Sequence, residues 1–94
     1  MHIISVRDQL TGGYAVRVVS FRGEPVSPDY SVVQVGNLAK LPAAFVASTL
    51  RVAPSDLARR FTRSSWLALR ADGSVAQVAG TKTGVQAQLL AAYE

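Results

Sequence analysis

The sequence predicts a single α+β domain: an N-terminal three-stranded antiparallel meander, short central helices, and a C-terminal β-hairpin followed by a helix. Strand-like runs fill the first third of the chain, Pro42 and Pro54 introduce helical segments in the middle, and Asp72-Gly73 marks a tight turn between two apolar runs. The chain has 94 residues, of which 49% are hydrophobic, and this suffices for one modest core. We therefore expect residues 1–94 to form one domain.

Three strands are expected in the N-terminal part, over His2–Arg7, Tyr14–Phe21 and Tyr30–Val35. The second strand is rich in the β-forming residues tyrosine, valine and phenylalanine. Gly12-Gly13 allows a tight turn before it, because glycine accepts positive φ, and a loop containing Pro25 and Pro28 precedes the third strand. Neither connection contains a segment fit for a crossover helix, so the strands are expected to form an antiparallel meander.

Two short helices are expected in the middle of the chain. Gly36-Asn37 closes the third strand, and Pro42 is tolerated only in a first turn, so the first helix is expected from about Leu41 to Arg51. Pro54 ends that segment and precedes Ser55, which is a good N-cap residue. The second helix is therefore expected from Asp56 to Thr62.

The clearest feature of the sequence is a β-hairpin from Trp66 to Ala79, because Asp-Gly is a strong signal for a two-residue turn. Its register is expected to turn one apolar set to the core: Leu67, Leu69, Ala76 and Val78. The opposite face is expected to carry Trp66, Arg70, Val75 and Gln77. We expect Trp66 to cover one edge of the core beneath the last helix, since a lone tryptophan in a small domain is usually mostly buried.

The last helix is expected from Gly84 to Tyr93, where Thr83 and Gln86 have the spacing of a capping box. The meander and the hairpin each have an open edge. Joining these edges, within one chain or across the twofold axis of a homodimer, would protect both.

Composition excludes several functional classes. The chain has no cysteine and one histidine, His2, so a disulfide scaffold, a thiolate nucleophile and a conventional zinc site are not expected. No apolar run approaches the roughly 20 residues of a membrane span, and Met1–Val6 is too short for a signal peptide. A soluble, cytoplasmic protein without metal or cofactor, and without membrane contact, is the expectation.

Catalytic patterns are equally sparse. A Ser-His-Asp arrangement would depend on His2 at the chain end, and the six acidic residues lie in separate loops and element ends. Gly80–Gly84 has the Lys-Thr pair of a phosphate-binding loop, but Ala76 and Thr81 stand where that motif has glycine. We therefore expect no cofactor and no catalytic residues, and we do not expect an enzyme.

The positive charge is concentrated in one stretch. Residues 51–70 contain five arginines and one acid, Asp56, which is a net charge of +4. Tryptophan and arginine are frequent at binding hot spots. The candidate residues for binding a protein partner or nucleic acid are Arg51, Arg59, Arg60, Arg63, Trp66, Arg70, Gln77 and Lys82.

Part of this stretch resembles the first helix and turn of bacterial helix-turn-helix proteins. The resemblance covers Ser55–Ser65 and is carried by the Leu-Ala-Arg-Arg-Phe run at 57–61. Thr62 and Arg63 depart from the family pattern, which has glycine and an apolar residue there. The resemblance implies DNA binding, either with a recognition helix after Ser65 or with the following hairpin as the wing of a winged helix.

Three functions remain open at this point. The leading hypothesis is a small non-enzymatic binding or regulatory protein that contacts a protein partner, for example an inhibitor or accessory factor of the phage-encoded kind. The second is a nucleic-acid-binding protein that uses the Arg51–Arg70 stretch. The third is a small arginine-dependent ribonuclease toxin.

Overall fold

A computed structural model describes residues 1–94 and contains five strands and four helices. The strands are β1 (His2–Arg7), β2 (Tyr14–Val19), β3 (Tyr30–Gln34), β4 (Trp66–Leu69) and β5 (Val75–Ala79). The helices are α1 (Val35–Leu38), α2 (Ala43–Leu50), α3 (Pro54–Arg60) and α4 (Lys82–Ala92). None of the helices is both long enough and apolar enough to cross a membrane.

The five strands form one antiparallel sheet in the order β1-β2-β3-β4-β5. The meander and the hairpin join inside the chain, because β3 pairs with β4 from Ser31–Leu69 to Gln34–Trp66. The predicted α+β fold, with its meander, central helices and terminal hairpin and helix, is thereby confirmed. The sheet has two outer strands, β1 and β5.

One face of the sheet is covered by α1, α2 and α3. Leu57 of α3 is fully buried there together with Leu67 and Leu69 of β4. Burying a leucine stabilises a fold by about 1.5–3 kcal/mol, so these side chains hold the helices to β3 and β4. The eight buried residues of this first core are Val33, Val35, Leu38, Val46, Leu50, Leu57, Leu67 and Leu69.

The other face is covered by α4. Val85 and Leu89, one helical turn apart, are buried against β2, β3 and β4. The six buried residues of this second core are Val16, Tyr30, Val32, Ala68, Val85 and Leu89. Trp66 is half-buried and packs against the same core, so its side chain lies on the α4 face.

A β-bulge in the hairpin changes part of the predicted register. The predicted pairs Trp66–Ala79 and Leu67–Val78 are present, but Leu69 pairs with Val75 instead of Ala76. The predicted two-residue turn is wrong, because the Arg70 N–H donates to the Ser74 carbonyl and the turn therefore contains three residues, 71–73. The extra residue reverses the faces of its neighbours, so Val75 packs against the first core and Ala76 against the second. Val78 pairs as predicted, yet it is 37% exposed because β5 is an outer strand.

The bounds of the central helices differ from those expected: α2 begins later and ends earlier, and α3 both begins and ends earlier. Gly36 and Asn37 lie inside α1 instead of forming a simple turn after β3. Pro42 is the residue before α2, which ends at Leu50. Pro54 is the first residue of α3, so Ser55 lies inside the helix and Ala53 occupies the N-cap position. Proline is favoured at the first helical position because its missing N–H has no intrahelical partner there.

The last helix also begins earlier, at Lys82, and its cap is Thr81 instead of Thr83. Thr81 Oγ1 accepts a hydrogen bond from the backbone N–H of Gly84 at 2.9 Å. Gly84 therefore lies in the first turn, where a Cβ would stand only 3.1 Å from the Cβ of Ala79. The glycine lets α4 start close against the end of β5.

The face of β1 and β2 opposite α4 has no helix over it. Val6 is 60% exposed and Ile4 is 39% exposed on this face, opposite Ala15 and Arg17 of β2. The helices α1–α3 follow β3 in the chain and pack on β3 and β4, which leaves this part of the sheet uncovered.

Candidate interaction surface

An aromatic and basic cluster lies at the end of the sheet where α4 begins. Lys82 Nζ lies 3.4 Å from the centroid of the Tyr14 ring, and Arg7 Cζ lies 5.7 Å from the same centroid. The Trp66 ring is 6.3 Å from the Tyr14 ring and inclined to it by 39°. We call Arg7, Tyr14, Trp66 and Lys82 the aromatic–basic patch. A cation over an aromatic face is attracted by about 0.5–2 kcal/mol, so these contacts help to hold the side chains of the patch in place.

Sheet pairing and a helix cap position the four side chains. Arg7 pairs directly with Tyr14 across β1 and β2, so their side chains share the α4 face. Trp66 opens β4 and pairs with Ala79, three residues before Lys82. The Thr81 cap fixes the start of α4, which brings Lys82 over the tyrosine ring.

The two cations of the patch have no acidic partner. The ion pairs of the molecule are Arg17–Asp29, Arg59–Asp56 and Arg60–Asp56, so no carboxylate lies within 4.0 Å of Arg7 or Lys82. Tyr14, Trp66 and Lys82 are half-exposed and Arg7 is exposed. The patch can therefore present positive charge beside aromatic carbon to a partner.

The arginines of α3 are arranged differently. Arg59 Nη2 lies 2.9 Å from Asp56 Oδ1, and Arg60 Nη1 lies 3.7 Å from Asp56 Oδ2. Arg60 also packs over the ring of Phe61, with Cζ at 5.1 Å from its centroid. One carboxylate thus partly neutralises both arginines, although the side chains remain exposed.

The other predicted arginines lie at opposite ends of β4. The backbone of Arg63 contacts α1, where its carbonyl accepts the N–H of Gly36. Arg70 lies after β4 and donates to Ser74 Oγ and to the Val75 carbonyl. Arg51 caps α2 beside the β4–β5 turn, where it adopts φ 59°. The charge that is concentrated in the sequence is therefore distributed along the length of β4.

Tyr30 adds a buried polar contact at the far end of α4. Its hydroxyl hydrogen-bonds the hydroxyl of Tyr93. Burial raises the pKa of Tyr30 above its usual value, the bond to Tyr93 raises this pKa further, and the charge of Arg70 opposes the change. The hydrogen-bonded pair closes the second core at this end of α4.

Gln77 lies on β5 opposite Ala68 and is half-buried. The structure thus brings Trp66 and Lys82 of the predicted set together, while α3 with Arg59 and Arg60 packs on the opposite side of the sheet. Arg7 and Tyr14 complete the patch and were missed from the sequence. They lie on different strands, and no local signal indicated that strand pairing and α4 would bring them together with a lysine.

Residues 61–65 after α3 lead directly into β4, so no second helix follows Ser55–Ser65 as a recognition helix would. The surface has no concave pocket, and no three histidine, aspartate or glutamate side chains converge on one point. Comparison with known proteins found no matching family model, no similar curated protein and no similar solved structure.

Proposed function

We propose that this chain is a non-enzymatic binding protein that contacts a protein partner through the aromatic–basic patch. The observation that supports this most is the position of two unpaired cations, Arg7 and Lys82, over the half-exposed ring of Tyr14. Aromatic residues and arginine are the residue types that contribute most to protein interfaces. The partner that fits has carboxylates next to apolar side chains.

The geometry favours protein over nucleic acid at this patch. Lys82 Nζ stands 3.4 Å from the Tyr14 centroid and occupies one side of the ring. Trp66 is half-buried against the second core. Single-stranded nucleic acids bind to aromatic side chains whose flat faces are free for base stacking, and the Lys82 ammonium group already covers one face of the Tyr14 ring.

The test is an affinity purification from a lysate of the organism that encodes the protein, treated with nuclease. The informative variant is Arg7→Glu/Lys82→Glu, and the matched control is Arg22→Glu/Lys40→Glu, which makes the same charge change at exposed positions outside the patch. Glutamate at position 82 is compatible with the helix, because acidic residues are favoured in a first turn.

We expect mass spectrometry to identify a protein that the wild type and the control retain and the patch variant loses. Circular dichroism should show all three to be folded. If the patch variant retains the same proteins as the control, or if the wild type retains none, this function is wrong.

A nucleic-acid-binding function is the second candidate, and it rests on Arg51, Arg63 and Arg70, none of which has a carboxylate within 4.0 Å. Fluorescence anisotropy with labelled random-sequence DNA tests it. Binding that weakens steeply between low salt and about 200 mM salt, as counterion release requires, would favour it. If the protein does not bind DNA at low salt, the nucleic-acid-binding function is excluded.

A further inference from the structure

The outer strand β1 is open for pairing along its whole length. The N–H and C=O groups of Val18 bond residues 26 and 27, on the side of β2 away from β1. Its partner Ile3 is therefore in a non-hydrogen-bonded pair, and every second residue of β1 follows the same pattern. Ile3, Ser5 and Arg7 thus direct their backbone N–H and C=O groups to the open edge.

The sequence of β1 offers little protection to this edge, since its one permanently charged residue, Arg7, is the last of the strand. The strand has no lysine and no proline, which are the residues that usually prevent edges from pairing. The other outer strand, β5, is interrupted by the bulge at Ala76 and packs against α4. The edge at β1 is therefore the better surface for adding another strand.

We propose that β1 pairs antiparallel with β1 of a second copy of this chain, about a twofold axis at Ser5. In this register Ser5 faces the partner's Ser5, and Ile3 faces the partner's Arg7. On the uncovered face of the sheet, Ile4 then lies opposite the partner's Val6. Each of the two most exposed apolar side chains of β1 gains an apolar neighbour, because the pattern is self-complementary.

Polar side chains support the same register. His2 and Asp8 flank the two apolar residues at two-residue spacing, and Asp8 continues the β1–β2 pairing through its N–H to the Gly13 carbonyl at 2.8 Å. A twofold axis at Ser5 sets His2 opposite the partner's Asp8, which pairs an imidazole N–H donor with a carboxylate acceptor. Moving the axis to Ile4 would set His2 against Val6, and moving it to Val6 would set Ile4 against Asp8.

The pairing would create a continuous ten-stranded sheet with its twofold axis perpendicular to the plane of the sheet. Both α4 helices and both aromatic–basic patches would then lie on one side of that sheet. The proposal does not depend on the proposed function, since it concerns the purified chain alone.

Sedimentation equilibrium over a range of protein concentrations tests the proposal. We expect a reversible dimer, and we expect Ser5→Pro to raise its dissociation constant at least about tenfold, because proline removes the central N–H donors from the interface. The monomer should keep its fold, since proline is tolerated at an edge position whose N–H points outward. The matched control Val78→Lys, on the other outer strand, should leave the dimer unchanged.

A single cysteine gives a second readout, since the chain has none. Ser5→Cys should form an intermolecular disulfide on mild oxidation, because paired residues about 5.5 Å apart at Cα suit its geometry. Ala47→Cys, exposed on α2, should remain largely monomeric at the same concentration.

A monomer at all concentrations would overturn the proposal. So would a dimer that survives Ser5→Pro but is lost in Val6→Lys, since that result would indicate packing of the uncovered faces instead of strand pairing. A dimer that Val78→Lys abolishes would assign the interface to β5 and would also overturn it.

Discussion

Replacing Gly73 with alanine should be among the most damaging small substitutions in this protein. Gly73 has φ +87°, a region where a side chain is strained, and this strain costs about 1–2 kcal/mol. A Cβ at this position would also overlap the backbone carbonyl oxygen of Arg51 and would lie 3.0 Å from that of Leu50. Both obstacles are backbone atoms, so the β4–β5 turn itself has to move away from the end of α2.

We expect Gly73→Ala to lower the free energy of unfolding by about 3 kcal/mol, the strain plus a comparable cost for displacing the turn. Two other glycines distinguish the cost of backbone strain from the cost of displacing the turn. Gly12 has φ +75° but open space around it, so its alanine variant carries strain alone. Gly80 has neither a positive φ nor a close neighbour, so its alanine variant should be neutral or slightly stabilising.

Urea unfolding measures all three variants, and the fluorescence of the single tryptophan reports the transition. In a domain of this size each 1 kcal/mol corresponds to roughly 4–8 °C in Tm, which gives an independent check. If Gly73→Ala destabilises no more than Gly12→Ala, the contact between the turn and Arg51 is not a constraint and this reasoning is refuted.

Two further predictions concern the ends of α4. Thr81→Ala should cost about 1 kcal/mol, because it removes the acceptor for the Gly84 N–H, whereas Thr83→Ala should have little effect; equal losses in urea unfolding would contradict the cap assignment. Because the pKa of Tyr30 is raised in the folded state, stability should not depend on this group below about pH 10 and should fall above it, where the unfolded chain ionises first. Measuring the free energy of unfolding of the wild type and of Tyr30→Phe between pH 8 and 11 isolates this decline. Parallel pH dependences of the two proteins would show that Tyr30 does not cause it.

The strands could be predicted because their signals are local. Tyr14–Val19 is rich in β-forming residues, and Asp72-Gly73 combines a turn signal with positive φ at the glycine. The sequence left two arrangements that would protect the open edges of the meander and the hairpin: pairing within one chain, or pairing across a homodimer. Pairing within the chain occurs here because the segment from residue 35 to residue 65 returns β4 alongside β3.

The ends of the helices were harder to predict, because neighbouring residues offered equivalent signals. Thr81 and Thr83 both suit an N-cap, and Ser55 is a better cap by residue type than Ala53. Tertiary packing decides between them. Gly84, in the first turn of α4, lies close against Ala79 of β5, and a contact with a different element has no local signature in the sequence.

The bulge and the patch were missed for the same reason. A two-residue turn at Asp72-Gly73 predicts an uninterrupted ladder, but the turn has three residues, 71–73. The bulge between Ala68 and Leu69 returns the rest of the ladder to the predicted register, where the hairpin also packs against α2 and α4. The patch unites Tyr14 with Lys82, which are far apart in the sequence. Charge density along the chain indicated α3 instead, where Asp56 binds two of the arginines.

The two proposed surfaces meet at Arg7. Its side chain contributes to the aromatic–basic patch, and its backbone belongs to the open edge of β1. Pairing about Ser5 would place the two copies of Arg7 two residues on either side of the axis, so the patches would lie close together on one side of the sheet. A partner with two acidic segments could then engage both copies, and the second contact would be intramolecular and therefore much tighter than the first alone. Ser5→Pro should weaken such binding while leaving every patch side chain in place.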